Sequence, residues 1–379
     1  MEKVSSPPPL APPTSEGTRL VWLRLLRSRR VGIATFYRLM NDHAGDAAAA
    51  LDALPGVAAR AGVAGYAACP PELAEREFLA GERCGARPLF IGETDYPNAL
   101  TDLADPPPML WVRGRGALAR RPAIALVGAR NASSLGLRTA RALAQGLGRA
   151  GHVIASGLAR GIDAAAHSAA LETGTIAVVA GGVDVVYPRE NAELTRQIAE
   201  DGLILSEMPI GMRPQARHFP RRNRIVSGLS AAVVVVEAAA RSGTLITARE
   251  ALDLGRDVLA VPGHPFDSRA SGCNMLIRDG ATLVRGAEDV LEALAPFAAA
   301  ENRSACPDAT AAAAVPPPAV ADDSMRARIL SLLGAAPIAE DQLRRDLTLP
   351  GEAVSGLLLE LELEGAIHRQ PGGLLARPA

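Results

Sequence analysis

Arginine, serine and glycine gather in three short segments of this 379-residue chain. The first is Gly128-Ala129-Arg130 with Ser133, Ser134 and Gly136. The second is Ser156-Gly157-Leu158-Ala159-Arg160-Gly161-Ile162-Asp163, and the third holds Gly181, Gly182 and Asp184. Small residues let a phosphate come close to backbone N–H groups, while hydroxyls and guanidinium forks add direct bonds. The same glycines would also serve tight turns. No segment reads G-x-G-x-x-G or G-x-x-x-x-G-K-[ST], so the dinucleotide fingerprint and the Walker-type NTPase are both excluded.

A second constellation is basic. Between Glu207 and Glu237 there is no acidic residue, yet Arg213, Arg217, His218, Arg221, Arg222 and Arg224 stand there with Phe219 and Pro220 among them. Nucleic-acid phosphates suit the arginines and an exposed base suits the ring, whose stacking is worth about 1–3 kcal/mol whatever the base. The plainer alternative is a solvated helix face with a core phenylalanine.

Catalytic groups are harder to assemble. Asp163 and His167 stand four apart and could form an acid–base pair, but a helix cap and a satisfied histidine fit them as well. No nucleophile, base and oxyanion donors converge. Cys69, Cys84, Cys273 and Cys306 form no C-x-x-C pair and lie near no histidine cluster. That argues against a zinc site or a disulfide framework and fits a reducing compartment. No metal or cofactor is expected.

These segments need a scaffold. Apolar, β-rich runs begin at Ala123, His152, Thr175, Leu203, Ala232 and Asp257 and alternate with helical stretches. Continuous apolar runs suit strands buried on both faces of a parallel sheet, so residues 85–298 read as an α/β, doubly wound, Rossmann-like domain. In such sheets ligands bind at the carboxyl ends of the strands, which is where all three glycine segments fall. One loop alone would be read as a turn; three at one edge favour phosphate binding, and the basic segment lies just before another strand of that edge.

Residues 17–84 read as a small all-α domain. Within it LPGVAARAG, from Leu54, resembles the hairpin of a helix-hairpin-helix or SAM-like module. Ala58 stands where such hairpins carry a second glycine, so packing is favoured there over DNA contact. Residues 1–16, rich in proline and serine, are expected to be disordered, and residues 299–322 form an Ala/Pro linker. Residues 323–379 read as three helices and a hairpin around Gln370-Pro371-Gly372-Gly373, a winged-helix pattern.

Composition bounds the partners. The chain is 48% hydrophobic but only 3% aromatic, so its core must be aliphatic. Its net charge of −1 means that any nucleic-acid surface must be a local concentration of charge, supplied by arginine, since Lys3 is the lone lysine. No apolar leader begins the chain, and the apolar stretch from Ala231 to Ala240 is too short for a membrane span. A cytoplasmic protein is expected.

Five segments, VGARNASSLG, SGLARGIDAAAH, GGVDVVYPREN, FPRRNRIVSGLS and RSGTLITAREALDLGRDVLAVPG, follow in order between Ala86 and Ala298. Together they resemble the DprA/Smf family, bacterial DNA-processing proteins of natural transformation, whose architecture of N-terminal SAM-like domain and C-terminal winged helix also matches. The resemblance implies an extended Rossmann fold that binds single-stranded DNA in a positive pocket and forms homodimers. It also implies protection of incoming strands and loading of a RecA-type recombinase past single-strand-binding protein. By motif position Arg130 and Ser133 would hold phosphates, flanked by Gly128 and Gly136. Ser156, Gly157, Arg160, Gly161 and Asp163 would form the second loop. Phe219 would stack on a base, Arg222, Asn223 and Arg224 would complete an R-N-R motif, and Gly243 and Thr244 would join the same edge. Two positions depart from the family pattern. Leu135 replaces a tyrosine, and Ala216 stands near where a basic residue is often found, a loss that Arg217 is expected to make good.

Two other functions compete. Phosphoribohydrolases of the lysine-decarboxylase-like class carry acidic residues just past a Gly-Thr pair; here Ile246 and Thr247 follow Gly243-Thr244, and an apolar side chain does no acid–base work. Glu250, one turn later, is expected to face an arginine. A winged-helix regulator of duplex DNA would need cations on its recognition helix. The segment from Gly351 to Glu364 carries four glutamates and no arginine or lysine. The favoured reading is therefore non-enzymatic, sequence-independent capture of single strands. Glycine-loop amides and Arg130 position phosphates, Arg213 to Arg224 supply the field and Phe219 stacks. A dimer would set two pockets side by side and multiply avidity.

Overall fold

A computed structural model describes residues 10–304 and, beyond them, 323–333, 338–339, 358, 361–362, 364, 366–370 and 374–376. The chain divides into two compact units, Met1–Ala305 and Cys306–Ala379.

Four amphipathic helices open the first unit: α1 (Glu16–Arg27), α2 (Ile33–Asp42), α3 (Ala47–Arg60) and α4 (Pro71–Arg83). A capping box at Ser15 and Thr18 starts α1, and the Asp46 carboxylate caps α3. The Leu54-Pro55-Gly56 segment is not a hairpin. Helix α3 runs through it to Arg60, with Leu54 buried and Pro55 exposed, and the chain turns only after it, at Ala61-Gly62. Nor is the proline-rich start loose throughout, for Pro13 is buried and Leu10 packs on the cluster around Trp22 and Phe36.

The six runs named from the sequence are β3 (Ala123–Gly128), β4 (Val153–Ser156), β5 (Thr175–Val178), β6 (Leu203–Ser206), β7 (Ser230–Glu237) and β8 (Asp257–Ala260). Ahead of them come β1 (Ala86–Phe90) and β2 (Met109–Gly114), and after them β9 (Thr282–Leu283). The nine-stranded order is β1-β2-β6-β5-β4-β3-β7-β8-β9. From β6 to β9 the pairing is parallel, but β1–β2 and β2–β6 are antiparallel, so the sheet is mixed and not wholly parallel. Arg87 and Pro88 break the apolar run of β1, and β2 keeps only four apolar residues before Arg113 and Gly114, so neither stands out in a search for buried parallel strands.

Helices cover both faces. One carries α5 (Ser134–Arg149), α6 (Ile162–Ala170), α7 (Ala192–Asp201) and α11 (Ala287–Ser304); the other carries α8 (His218–Leu229), α9 (Thr244–Asp253) and α10 (Ser271–Arg278). Strand β3 shows the layering in its alternation: Ala125 and Val127 face the α8–α9 layer, Ile124 and Leu126 the α5–α6 layer. The N-terminal helices share their core with Phe90, Met109 and Trp111, so they are continuous with the sheet's packing. Helix α11 continues to Ser304, past the point where composition suggests that a linker begins. Strand order reverses at β3, with β4 to β6 on one side and β7 to β9 on the other.

In the second unit α12 (Asp323–Leu332) and a three-stranded antiparallel sheet of β10 (Ile338–Ala339), β12 (Leu374–Ala376) and β11 (His368–Gln370) enclose Ile329, Leu333, Leu358, Leu361, Ile367 and Leu375. Strands β11 and β12 pair on either side of the Pro371-Gly372-Gly373 segment, as the hairpin reading requires. Most of the acidic third helix and the 305–322 linker lie outside the described residues.

Candidate nucleic-acid interface

Parallel strands deliver their following loops to one edge, and the loops after β3, β4, β5 and β7 meet there. Two cavities open at that edge, of about 860 Å³ and 730 Å³, and Arg130, Ala159, Phe219 and Arg222 line both. Phe219 stands in the first turn of α8. The Arg130 guanidinium carbon lies 5.2 Å from its ring centroid, and the Tyr187 ring lies 6.0 Å away, tilted by 53°. A cation and two rings are thus held together at an open surface.

Much of the glycine in the loops serves the loops themselves. The Ser133 N–H donates to the Glu237 carboxylate at 2.9 Å, and its hydroxyl accepts from the Gly136 N–H, capping α5. A side chain at Gly136 would run into Glu237. The amides of Gly157 and Ala159 donate to Asp163, and Asn191 holds the carbonyls of Leu158 and Ala159. Gly161, at φ +78°, lets the second loop pass over the carbonyls of Ala129 and Arg130. Gly181 and Gly182 make room for the Pro209–Pro214 segment, and the Gly182 N–H donates to Met212. The Ser156 hydroxyl is buried and donates to Leu126. Ser133, Gly136 and Ser156 line neither cavity, so the amide cradle expected from the sequence is in large part already occupied.

Arg222 is 7% exposed, and its Nη1 donates to the Val178 carbonyl at 3.2 Å. It faces Asp163, whose carboxyl burial pushes up, against the opposing pull of Arg222 and the two loop amides. Asp163 is therefore an internal acceptor that shapes the loop. His167 is buried, contacts the Thr175 hydroxyl at 2.6 Å, and is held neutral by desolvation, its pKa lowered to about 3. The helix-cap and satisfied-histidine alternative is met only in part: both groups are buried, but α6 has no side-chain cap bond and His167 Nε2 has no hydrogen-bond partner among the described residues.

Other arginines of the basic segment part company. Arg224 donates to Glu207 at 2.5 Å and to the Asp105 carbonyl at 2.8 Å, and Arg221 pairs with Glu207 at 3.2 Å. Arg224 is a brace between α8 and the 105–108 segment and lines neither cavity. Arg217 is exposed and also lines neither; its Nε donates to His218 Nε2 at 3.5 Å. Arg213, by contrast, lines the first cavity, together with Arg160, which pairs with Glu190 at 3.4 Å. Gly243, Thr244 and Asn223 line the second cavity, and Thr244 donates to the Gly128 carbonyl. Glu250 makes no salt bridge among the described residues, though the charge of nearby Arg224 acts on it; one of its oxygens is buried without a hydrogen bond, and burial outweighs the arginine and raises its pKa to about 7.

Tyr187, Arg189 and Arg241 line these cavities and were not singled out by sequence reasoning. For Tyr187 the available signal was its place in the loop after β5, at the ligand edge of the sheet; it is 49% exposed. Arg130, Arg189, Arg213 and Arg241 have no carboxylate partner among the described residues. Among those residues no cluster could hold a metal, and no helix is long and apolar enough to cross a membrane.

The architecture is that of a doubly wound, Rossmann-like protein with an arginine-lined, aromatic-bearing surface where strand order reverses, preceded in the sequence by a helical module and followed in the sequence by a winged helix. The family model for DNA recombination-mediator protein A matches residues 87–295, the DprA-like N-terminal HHH domain matches 16–80, and the DprA winged-helix domain matches 312–373. The chain belongs to the DprA/Smf family of DNA-processing proteins. It is 36% identical to Protein Smf of Synechocystis over 75% of this chain and 79% of that one. It is 46% identical to the DNA processing protein DprA of Streptococcus pneumoniae over 52% and 70%. The solved structure of the pneumococcal DprA superimposes with a TM-score of 0.58 at 35% identity, covering 72% of this chain and 92% of that one. DprA from Helicobacter pylori, whose structure is described as showing a unique single-stranded DNA binding mode, gives 0.52 at 30% identity over 56% and 96%.

Proposed function

We propose that this chain captures single-stranded DNA without regard to sequence, protects it and passes it to a RecA-type recombinase, with no catalytic step. The observation that carries the reading is the Phe219 ring, set between the Arg130 guanidinium and Tyr187 on the wall between two cavities. Arginines without carboxylate partners supply the attraction for phosphates, and the rings supply a stacking surface that any base satisfies. Duplex DNA keeps its bases inside and would engage only the charge. Side chains of Arg130, Arg160, Arg213 and Arg222 carry more of the phosphate contact in this reading than the loop amides do. A homodimer would place two such sites on one strand, and single-strand-binding protein is the competitor from which the strand is taken.

No acid–base pair opens into either cavity, which disfavours the phosphoribohydrolase alternative. Asp163 is spent on loop amides, and Ile246 and Thr247 occupy the places of the carboxylates.

Titration of fluorescent oligo-dT and of a matched duplex across salt tests the proposal, with Phe219→Ala and Arg130→Ala alongside the wild type. Preference for the single strand, a steep salt slope and losses in both variants are expected. Equal affinity for duplex, or variants that bind normally, would overturn it. Recombinase loading is read separately, as filament formation on oligo-dT already coated with single-strand-binding protein.

A further inference from the structure

The second cavity lies at the reversal of strand order. Gly128 to Asn131, following β3, form one wall, and Ala239 to Thr244, following β7, form the other. The helix after β3 and the helix after β7 lie on opposite faces of the sheet, so this is the crevice that a doubly wound sheet leaves open for a ligand. Its charge is one-sided. Arg130, Arg222, Arg241 and Arg269 line it against the single carboxylate of Asp163, which is buried and held by loop amides. Arg269 is partly engaged by Asp267 and Glu237, but Arg241 has no carboxylate partner among the described residues. The Nε of Arg222, in a side chain more than nine-tenths buried, has no hydrogen-bond acceptor among the described residues. Beside these cations Phe219, Pro220 and Ile246 offer an apolar surface, with Ile246 half exposed. The Asn223 carboxamide lines the same space with no hydrogen-bond partner among the described residues. Cations, an apolar face and an unused amide are what a nucleotide needs: phosphate, base face and base edge.

Resting on the single-strand reading above, we propose that this crevice is a second nucleotide subsite, distinct from the Tyr187 cavity. One strand then passes across the Phe219 wall and occupies both. Arg241 takes a phosphate there and Asn223 a base edge. The strand therefore crosses the carboxyl edge of the sheet from the β5 loop toward the β7 loop. Those strands are three inter-strand spacings apart, about 14 Å, which about four stacked nucleotides span.

A length series of oligo-dT, from two to twelve nucleotides, tests this with wild type, Arg241→Ala, Asn223→Ala and Phe219→Ala. Wild-type affinity should rise with length until both cavities are filled. Arg241→Ala should bind the shortest oligomers as wild type does. It should lose about five- to tenfold on the longer ones, with a salt slope lower by about 0.7, the share of one phosphate on a single strand. Asn223→Ala should lose less, again only on longer oligomers. If Arg241→Ala matches wild type in affinity and slope at every length, or weakens all lengths equally, the second subsite is wrong while single-strand binding at Phe219 stands. If the wild type binds no oligomer, or Phe219→Ala binds every length normally, it is the parent reading that fails.

Discussion

The guanidinium of Arg222 fills the space that a side chain at Gly157 would need; a Cβ there would run into Nη1, Cζ and Nη2. Glycine is required at this position because a buried, pinned arginine stands against the loop. Gly157→Ala should therefore cost about 1–3 kcal/mol, as overpacking does, and weaken single-strand binding with it. At Gly243 a Cβ meets nothing within 4 Å. Gly243→Ala should leave stability within about 0.5 kcal/mol of wild type. Urea unfolding of the two variants checks the contrast, and equal stability of the pair would contradict the packing argument.

Arg224 and Glu207 make a second pair, with the carboxylate 6% exposed and the arginine 13%. Removing one partner of a buried pair leaves the other charge uncompensated, at a cost of about 3–5 kcal/mol. Arg221 still reaches Glu207, so Arg224→Ala is expected near the lower end, about 3 kcal/mol. Molecules that remain folded should bind oligo-dT normally, whereas Arg130→Ala should bind poorly at full stability. A stable Arg224→Ala protein that has lost binding would mean that Arg224 touches the ligand.

How far the sequence could be read depends on what each signal reports. Buried parallel strands announce themselves by apolar runs, and β3 to β8 were legible for that reason. The antiparallel edge of β1 and β2 was not, because Arg87 and Pro88 interrupt the first strand and the apolar run of the second is only four residues long. Phe219 and Arg130 were legible as side chains that suit a base and a phosphate. Ser133, Gly136 and Ser156 have the same chemistry but spend it internally, on Glu237, on the α5 cap and on Leu126. Which of two fates a serine meets is a tertiary fact. So is the direction of Arg224, which a linear count of basic charge cannot separate from that of Arg222.

Glu250 carries a pH prediction. Its carboxyl is raised to about 7 chiefly by burial, opposed by Arg224 and assisted by Asp253. A folded-state value above the unfolded one, about 4.3, means that the native state holds its proton more tightly. The stabilisation is complete below the unfolded value and is lost as pH rises through about 7. Glu250→Gln cannot ionise, so relative to wild type it should gain stability between pH 5 and pH 8. Chemical denaturation at the two pH values measures this, and an unchanged difference would rule the effect out.

Arg213 and Arg217 give opposite answers to one question, which arginine compensates for Ala216. Arg217 is the nearer in sequence, but it lies exposed outside both cavities with His218 as its neighbour. Arg213 lines the Tyr187 cavity and has no carboxylate partner among the described residues. A cation on the strand's path changes both affinity and salt dependence, and one off the path contributes only to a screened field. Arg213→Ala should therefore weaken oligo-dT binding several-fold and lower the salt slope by about 0.7. Arg217→Ala should change the slope little and affinity by less than about twofold at physiological salt, where the Debye length is about 8 Å. Salt titrations of both variants decide between them. If Arg217→Ala lowers the slope and Arg213→Ala does not, the strand runs over the outer face of α8 and not through the cavity.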